Sequence, residues 1–284
     1  MQKRPLVSVI IPTFNREVYV TPCLNSIKNQ TYKNIEIIVV DQGSSDNTPK
    51  IAKSLGAKVI SVARPKFYSP PSKSRNIGFR ASKGEILIHL DSDMELTPKL
   101  VEEIVSIFKR GKYGALVIHE IDKTKGFWSM CKALERRCYW NNLKVEHARA
   151  VKREIFIKVK GYDEGLNSGD DLDVHKKYMK VSEVGFCKNV LYHNLGDLNF
   201  TKLMLKKYNY GRTAAKYFKK TNENVAIFFA EEFKCYARNY KLVFKDPVIG
   251  FGMLFMKLSE MTFGLLGHLS STTHMNLHLG VYEK

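Results

Sequence analysis

Cysteine is scarce in this 284-residue sequence, and its pattern excludes two common uses of the residue. The five cysteines form no CxxC pair and are odd in number, so neither a disulfide framework nor a zinc knuckle is indicated. A long apolar core near the amino terminus is also lacking, because Pro12 breaks the first apolar run, and no signal peptide is predicted. We therefore expect a protein of a reducing, cytoplasmic compartment.

Two glycine-rich phosphate loops are missing as well. No GxGxxG follows the first apolar run, and no GxxxxGK[ST] occurs anywhere in the sequence. Dinucleotide-binding oxidoreductases and P-loop enzymes are disfavoured, because their phosphate cradles depend on those glycines. The composition is otherwise that of a folded globular protein, with 44% hydrophobic and 26% charged residues, which excludes disorder over the whole chain.

Acidic residues are too few to balance the basic ones. The sequence has 46 Lys and Arg against 28 Asp and Glu, a formal net charge of +18, and the segment 198–245 alone holds eleven basic residues against three Glu. Such an excess favours polyanions, whether nucleic acid, anionic lipid or phosphorylated ligands. No helix-turn-helix, zinc or RNA-binding signature accompanies the charge, so we expect no nucleic-acid partner.

Short apolar runs alternate with amphipathic stretches over the first 95 or so residues, which predicts βα units on a parallel sheet. Asp46 is predicted to cap the second helix, and Thr97 to cap a later helix that opens with Pro98. The predicted strands cover 6–11, 35–40, 59–62, 85–90 and 115–121, and helices are predicted around 20–27, 75–81, 100–108 and 128–143.

Beyond residue 196 the sequence changes to long, basic and aromatic-rich helices, which end in an apolar stretch over 248–269. This stretch is long enough to cross a bilayer, but Lys257 and Glu260 fall at its middle, and each costs about 2.5 to 3.5 kcal/mol to insert. A helix that lies in the membrane interface or packs on the protein is therefore predicted. We divide the chain into a catalytic domain over 1–196 and a helical, membrane-associating region over 197–284.

Polar clusters follow three of the predicted strands, at 12–17, 41–46 and 91–93. Open α/β sheets bind ligands at the carboxyl ends of their strands, so these clusters are expected to converge on one edge. The two carboxylates of Asp91 and Asp93 can share a hard cation that also holds diphosphate oxygens. An Asp-x-Asp alone is also typical of solvated turn acids, and Asp41 in DQGSSDNT is equally suited to forming a turn.

Further candidate site residues lie outside the polar clusters at the strand ends. Asp170 and Asp171, followed by Asp173, form the most acidic spot, and like charges so close are expected to raise one another's proton affinity, as a general base requires. Acids at that place are equally typical of a helix amino terminus. Arg75 can pair with phosphate, whereas Lys66 and Lys73 are typical of solvated charges, and a lone histidine such as His193 is more often a core or surface residue.

Four segments in order resemble glycosyltransferase family 2, whose members have the GT-A fold. They span roughly 5–195 and read VSVIIPTFNRE, IEIIVVDQGSSDNT, SRNIGFRASKGEILIHLDSDMELTP and GYDEGLNSGDDLDV. The resemblance implies an α/β, Rossmann-like GT-A fold with a mixed, mostly parallel sheet flanked by helices, here with a helical C-terminal extension. It also implies transfer of a hexosyl or N-acetylhexosaminyl group from a nucleotide-diphosphate donor to a hydroxyl of a glycan or polyprenyl-phosphate-linked acceptor.

The resemblance also assigns roles to matching residues. Asp171 falls where the family has its general base, beside Asp170, and Asp93 where it has the direct ligand of Mn²⁺ or Mg²⁺, with Asp91 and His193 as further metal candidates. The nucleotide sugar is expected to contact Pro12, Thr13, Asn15, Asp41, Gln42, Arg75 and Asp91.

Two departures from the family pattern bear on these roles. Gln42 stands where many members have a second acid, which leaves uracil and guanine open although a UDP-sugar is favoured, and Asp170 replaces the more usual Glu. The implied mechanism is a single inverting displacement, in which the base deprotonates the acceptor as the diphosphate departs. Loss of Asp93 is expected to harm donor binding, and loss of Asp171 to spare it.

Three other functions are compatible with parts of the sequence. A non-catalytic nucleotide-sugar binder is disfavoured by the retained carboxylates, and a basic nucleic-acid-binding protein by the missing signatures. A nucleotidyltransferase is disfavoured because its glycine- and lysine-rich first loop is lacking. The interleaved lysines and tyrosines of 198–245 suit an anionic membrane surface, so we expect a cytoplasmic enzyme at the inner face of the cell membrane.

Overall fold

The computed structural model describes residues 4–63, 71–166, 168–221 and 225–272. The strands are β1 (Val7–Thr13), β2 (Ile35–Asp41), β3 (Lys58–Ser61), β4 (Ile86–His89), β5 (Met94–Leu96), β6 (Tyr113–Val117), β7 (Glu120–Lys125), β8 (Ala148–Lys152), β9 (Glu183–Phe186) and β10 (Leu191–Asp197). The helices are α1 (Glu17–Lys28), α2 (Thr48–Ser54), α3 (Pro71–Ala81), α4 (Leu100–Lys109), α5 (Phe127–Tyr139), α6 (Arg153–Lys158), α7 (Asp170–Val181), α8 (Phe200–Thr221), α9 (Val225–Arg238), α10 (Tyr240–Val243) and α11 (Pro247–Thr272).

The described residues fall into two compact units. The first takes in Met1–Ile121, Glu146–Glu164 and Asp171–Asn194, and the second takes in Asp122–Val145, Gly165–Asp170 and Leu195–Lys284. The second unit thus includes α5 as well as the C-terminal helices. The domain boundary predicted at residue 196 stays a prediction.

A seven-stranded sheet in the first unit has the order β3-β2-β1-β4-β8-β6-β9. Neighbours among β1 to β4 run parallel, and so do β6 and β9, whereas β8 is antiparallel to both β4 and β6. Its central strands are nearly continuous apolar runs, as expected where helices cover both faces. Val9, Ile10 and Ile11 are each 0% exposed. The predicted mostly parallel α/β sheet is confirmed, and the carboxyl ends of β1, β2 and β4 share one edge.

The core of the first unit forms where the apolar stripes of α1 and α4 cover this sheet. In α4, Leu100, Val101, Ile104, Val105 and Phe108 recur at helical spacing and are all buried. In the same unit β10 pairs antiparallel with β5, and His193 of β10 lies opposite Met94 of β5. That pairing brings the strand after the Asp-x-Asp segment beside the strand that carries the histidine.

The predicted start of α4 is wrong. Its N-cap is Lys99, and Thr97 lies two residues earlier. The Thr97 hydroxyl donates instead to the carbonyl oxygen of Val190 at 2.6 Å, so it holds a distant segment rather than the helix end. The strand predicted over 115–121 is in fact two strands, since β6 ends at Val117 and β7 begins at Glu120.

Asp46 lies one residue before the N-cap of α2 and accepts a hydrogen bond from the first turn of that helix. The N-cap of α2 is Asn47, not Asp46 as predicted. The Asp46 carboxylate accepts the backbone N–H of Thr48 at 3.0 Å and that of Glu17 at 3.1 Å. One carboxylate therefore satisfies free donors at the starts of both α1 and α2.

Helices make up the core of the second unit. Cys131 and Cys138 of α5 pack in one buried cluster with residues of the C-terminal helices. The other buried members of that cluster are Tyr139, Leu203, Met204, Cys235, Tyr236, Val243, Met253 and Met256. This packing explains why α5 belongs to the unit of the C-terminal helices, although 60 residues separate the end of α5 from the start of α8.

Six charged side chains, termed here the buried charge cluster, lie among these helices: Lys132, Glu135, Lys207, Glu232, Lys257 and Glu260. Lys257 Nζ lies 3.1 Å from Glu135 Oε1 and 2.7 Å from Glu232 Oε2. Lys132 Nζ bridges Glu135 and Glu260 at 2.5 and 3.0 Å. Three lysines balance three glutamates, which is the condition under which buried charges are tolerated.

The helix α11 has two unlike sides. Lys257 and Glu260 are each 4% exposed, because they point into the buried charge cluster. The exposed side, termed here the apolar face of α11, consists of Val248, Phe251, Phe255, Leu258, Leu265, Leu266 and Leu269. Spacings of three, four and seven place most of these residues along one side of a helix, with Leu266 beside Leu265. Pro247–Ser270 also has the length and mean hydropathy, 1.3, of a membrane-crossing helix.

Candidate active site

The loops after β1 and β2 are joined by side-chain hydrogen bonds. Thr13 Oγ1 donates to Asp41 Oδ1 at 3.2 Å, and Ser44 donates to the same carboxylate through its backbone N–H and its hydroxyl, at 3.0 and 2.5 Å. Asn15 has φ 49°, and its side-chain oxygen accepts the Ser45 N–H at 2.9 Å. Asp41, 2% exposed, therefore organises both loops, and its contact with a nucleoside stays a prediction.

Pro12 and Gln42 occupy the strand ends beside this loop pair. Pro12 lies opposite Val40 of β2, beyond the point where pairing of β1 with β4 ends at Ile10, so its missing N–H leaves no bond to β4 unmade. Gln42 Nε2 donates to Ser74 Oγ at 2.8 Å. This bond fastens the end of β2 to α3, the helix that carries Arg75.

Arg75 links two of the predicted site carboxylates. Its Nη2 lies 2.8 Å from Asp91 Oδ1, and its Nη1 lies 2.7 Å from Asp171 Oδ1. The guanidinium is 2% exposed, and the ring of Tyr162 lies 5.3 Å from its Cζ. In this structure Arg75 therefore contacts carboxylates, whereas the sequence predicts contact with the base or diphosphate of a nucleotide.

A second arginine, Arg149 of β8, also contacts Asp91 and pairs with a further carboxylate, that of Glu120. Its Nη1 lies 3.2 Å from Asp91 Oδ2, while its Nη2 and Nε lie 2.7 and 3.0 Å from Glu120 Oε1. Glu120 Oε2 in turn lies 3.2 Å from His193 Nδ1, and His193 Nε2 lies 3.6 Å from Asp93 Oδ1. An unbroken series of charged or titratable groups thus runs from Asp93 to Asp171.

The electrostatics of Asp171 differ from the expectation. Burial raises the pKa of its carboxyl, but Arg75, with His147 and Arg149, lowers it further than burial and Asp91 raise it, so the pKa lies below its ordinary value. The Asp91 pKa is likewise held low, because Arg75 and Arg149 outweigh burial. The expectation that neighbouring acids raise the proton affinity of Asp171 is wrong: paired arginines dominate, and Asp171 is ionised at neutral pH.

Asp93 and His193 fit the cation that the family resemblance implies. A carboxylate and an imidazole nitrogen face each other at 3.6 Å; carboxylate oxygens are the ligands that Mg²⁺ and Mn²⁺ prefer, and imidazole is a common ligand of transition-metal ions. Around them, four carboxylates (Asp91, Asp93, Glu120 and Asp171) meet two guanidinium groups (Arg75 and Arg149). Four negative charges against two positive ones leave an excess of two, which one divalent cation balances.

The structure brings together most of the predicted residues of the first unit. Asp91, Asp93, Arg75, Asp171 and His193 belong to the same series of contacts, and the loop pair with Thr13, Asn15 and Asp41 sits at the ends of β1 and β2. Asp170 is the first residue of α7, is 9% exposed, and falls in the second unit. Lys66 lies outside the described residues.

Three residues of the site, Glu120, His147 and Arg149, are not among those predicted from the sequence. His147 Nε2 lies 3.9 Å from Asp171 Oδ2. Arg149 offers the one usable signal, because a charged residue between the buried alanines of HARAVK is expensive unless it is paired. Glu120 and His147 carry no such local signal.

The mostly parallel sheet, the polar edge and the carboxylate-histidine pair are the features expected of the GT-A fold that the four motifs predict. A sequence model described as glycosyl transferase family 2 matches residues 8–161, more than half of the chain. The chain belongs to this family, as its four motifs predict. It spans about three fifths of the length of the first curated relatives that it matches, at 62% and 63%.

Three known proteins show the likeness. A GalNAc(5)-diNAcBac-PP-undecaprenol beta-1,3-glucosyltransferase of Campylobacter jejuni is 26% identical over 279 residues, covering 85% of this chain and 88% of the relative. The crystal structure of S. aureus TarS with UDP-GlcNAc has a TM-score of 0.59 at 18% identity, over 95% of this chain and 92% of that chain. The mannosyltransferase PcManGT of Pyrobaculum calidifontis, solved with GDP-Man and Mn²⁺, has a TM-score of 0.57 at 19% identity, over 99% and 82%. The predicted GT-A fold is confirmed by these likenesses.

Proposed function

We propose that this glycosyltransferase inverts the anomeric centre in one displacement, with Asp171 as general base and Asp93 and His193 as ligands of a Mn²⁺ or Mg²⁺ ion. The observation that carries the proposal is the series of contacts from Asp93 to Asp171, which joins the metal candidates to the base candidate within one unit. When bound, the cation supplies positive charge to the diphosphate as it departs.

The chain's own residues account for the proton. Asp171 is ionised because Arg75 holds its pKa low, so the carboxylate is ready to accept a proton from the acceptor hydroxyl. A carboxylate of low pKa is a weak base, so we propose that the proton moves late, once the acceptor oxygen has begun to bond to the anomeric carbon and has become acidic. The bond from that carbon to the diphosphate oxygen breaks with its electron pair on the oxygen.

The donor side is proposed to lie at the ends of β1, β2 and β4. Thr13, Asn15, Asp41 and Gln42 stand there in a fixed arrangement, and Asp91 is already held by two arginines. A UDP-sugar is favoured and a GDP-sugar is the alternative. TarS was solved with UDP-GlcNAc and PcManGT with GDP-Man, so neighbours of this fold bind either base.

The acceptor is proposed to be a glycan hydroxyl, carried on a polyprenyl phosphate at the inner face of the cell membrane. The Campylobacter jejuni relative is named for an undecaprenol-linked substrate. The apolar face of α11 supports peripheral association, because its exposed apolar side chains lie opposite side chains tied into the buried charge cluster. A helix tied in this way is suited to the membrane interface rather than to crossing it.

Transfer from a donor panel tests the proposal. The purified full chain is incubated with UDP- and GDP-sugars, Mn²⁺ and a polyprenyl-phosphate-linked glycan, and the product's anomeric configuration is read by NMR. The expected product carries the configuration opposite to that of the donor. Retention of configuration would contradict the single displacement, and absence of transfer to any acceptor with any donor would contradict the assigned acceptor class.

A further inference from the structure

His193 has a carboxylate near each of its ring nitrogens. Nδ1 lies 3.2 Å from Glu120 Oε2, and Nε2 lies 3.6 Å from Asp93 Oδ1. The side chains of His193 and Glu120 are 12% and 16% exposed, so water competes little for this pairing. The imidazole ring of His193 therefore lies between the carboxylates of Glu120 and Asp93.

The contact with Glu120 determines which nitrogen of a neutral ring carries the proton. An ionised carboxylate only accepts hydrogen bonds, so Nδ1 must donate to Glu120. The lone pair of the neutral imidazole then lies on Nε2, which faces Asp93. Two acceptor atoms that face each other at 3.6 Å make a place suited to a cation.

Arg149 fixes the position of Glu120. Its Nη2 and Nε both lie within hydrogen-bond distance of Glu120 Oε1, at 2.7 and 3.0 Å, which leaves Oε2 directed at His193. The other edge of the same guanidinium contacts Asp91 at 3.2 Å. Because Arg149 is 7% exposed, it holds both carboxylates with little freedom to turn away.

We infer that Glu120 is a positioning residue for the metal site: held by Arg149, it orients the His193 ring so that Nε2 faces Asp93. This inference rests on the proposed function, since it takes His193 and Asp93 as metal ligands. Metal-binding histidines commonly donate their second ring N–H to a carboxylate, and loss of that partner lowers metal affinity about 10- to 100-fold.

The test measures Mn²⁺ affinity by calorimetry in the full chain, with and without UDP and GDP. Four proteins are compared: wild type, Glu120→Ala, Glu120→Gln and Glu146→Ala. Glu146 is a matched control, because it contacts His119 Nδ1 at 2.8 Å in the same unit and is similarly buried, at 13% exposed. Thermal unfolding of each variant reports whether it is folded.

The inference predicts that Glu120→Ala weakens Mn²⁺ binding about 10- to 100-fold. Glu120→Gln keeps one oxygen that can accept the Nδ1 proton but presents an amide NH₂ to Arg149, so it is expected to recover only part of the affinity lost in Glu120→Ala. Glu146→Ala is expected to bind Mn²⁺ like wild type. In a double variant with His193→Ala, the loss from Glu120→Ala is expected to disappear, because no ring remains to be oriented.

Three results would overturn the inference. One is unchanged Mn²⁺ affinity in Glu120→Ala, and another is an equal loss in Glu146→Ala. A third is a Glu120→Gln protein as weak as Glu120→Ala, which would make Glu120 a direct ligand. Sugar transfer by a wild type that binds no Mn²⁺ would overturn this inference and leave the transferase standing, whereas the absence of both transfer and nucleotide binding would remove the proposed function itself.

Discussion

The Arg75 guanidinium lies 2.7 Å from the carboxylate of Asp171 and 2.8 Å from that of Asp91, so one buried cation joins the proposed base to the proposed donor side. This pairing keeps Asp171 ionised, since its pKa lies below the ordinary value despite burial. A base prepared in this way needs no deprotonation before the acceptor arrives. Its contribution should therefore show in turnover and not in donor binding.

Replacing Asp171 by Asn tests that separation. The amide cannot accept the acceptor proton, so kcat is expected to fall about 10²- to 10⁴-fold while the donor Kd changes little. Initial rates and nucleotide calorimetry measure the two quantities. Asp173→Asn is the control, because Asp173 lies on the same helix and pairs with Lys177 at 2.9 Å. A weakened donor Kd with unchanged kcat in Asp171→Asn would contradict the assigned role.

His89 should make the fold sensitive to acid. It is 2% exposed and packs between Phe156 and Tyr162, with ring centroids 5.2 and 5.1 Å away. Among the described residues neither of its nitrogens has a hydrogen-bond partner. Burial, followed by the charge of Arg75, lowers the pKa of His89 to about 3.

Proton linkage gives the direction in which stability changes with pH. The unfolded chain binds a proton at His89 below about pH 6.5, whereas the folded chain binds it only near pH 3, so stability is full above pH 6.5 and declines as the pH falls towards 3. Between pH 7 and 4 this group should remove about 3 kcal/mol of unfolding free energy. Urea unfolding of His89→Phe at both pH values should show a correspondingly smaller loss. An identical acid dependence in wild type and variant would contradict the prediction.

The buried charge cluster should make α11 intolerant of losing a lysine. In Lys257→Met, Glu135 and Glu232 lose a partner at 3.1 and 2.7 Å, and removal of one partner of a buried pair costs about 3 to 5 kcal/mol. The control is Lys234→Met, whose pairing with Glu231 is 59% exposed on the lysine side and is therefore expected to contribute little to stability. Urea unfolding compares the two. Equal losses would mean that the buried pairing adds nothing beyond a surface one.

The apolar face of α11 should bind an anionic lipid surface. Flotation with vesicles that contain phosphatidylglycerol is expected to recover the wild-type chain, and a triple variant, Phe251→Ser, Phe255→Ser and Leu258→Ser, should lose most of that binding. Ile227→Ser is the control, since Ile227 is an exposed apolar residue, at 64%, on α9. A wild type that never floats, or a triple variant that floats equally well, would contradict the assignment.

The periodicity of the sequence predicts the ligand-binding edge of the sheet well, because the relevant residues are neighbours in the sequence. The apolar runs that become β1, β2 and β4 are each followed at once by polar residues, so strand ends and candidate ligands can be located together. Thr13, Asp41 and Asp91 all lie within two residues of the end of their strand. Strand ends and the polar residues that follow them depend on spacing over a few residues, so a single sequence is enough to predict them.

Contacts between residues that are far apart in the sequence cannot be predicted from local spacing. The antiparallel insertion of β8 between β4 and β6 is what brings Arg149 to Asp91, and no spacing in the sequence fixes that strand order. Thr97 fails as a cap for a similar reason, because its hydroxyl bonds to Val190, 93 residues away. The low pKa of Asp171 also depends on Arg75, 96 residues earlier, and local acidity predicts the wrong direction.

Calorimetric titration of UDP, GDP, CDP and dTDP into the wild type and into Asp93→Ala, each with and without Mn²⁺, tests the central claim most directly. Asp93 faces His193 at 3.6 Å where the cation is proposed to bind, so removal of its carboxylate should remove the metal-dependent part of nucleotide affinity. We expect the wild type to bind one of these nucleotides only with Mn²⁺, and Asp93→Ala to lose that binding. Binding that is equally strong without Mn²⁺, or unchanged in Asp93→Ala, would contradict it.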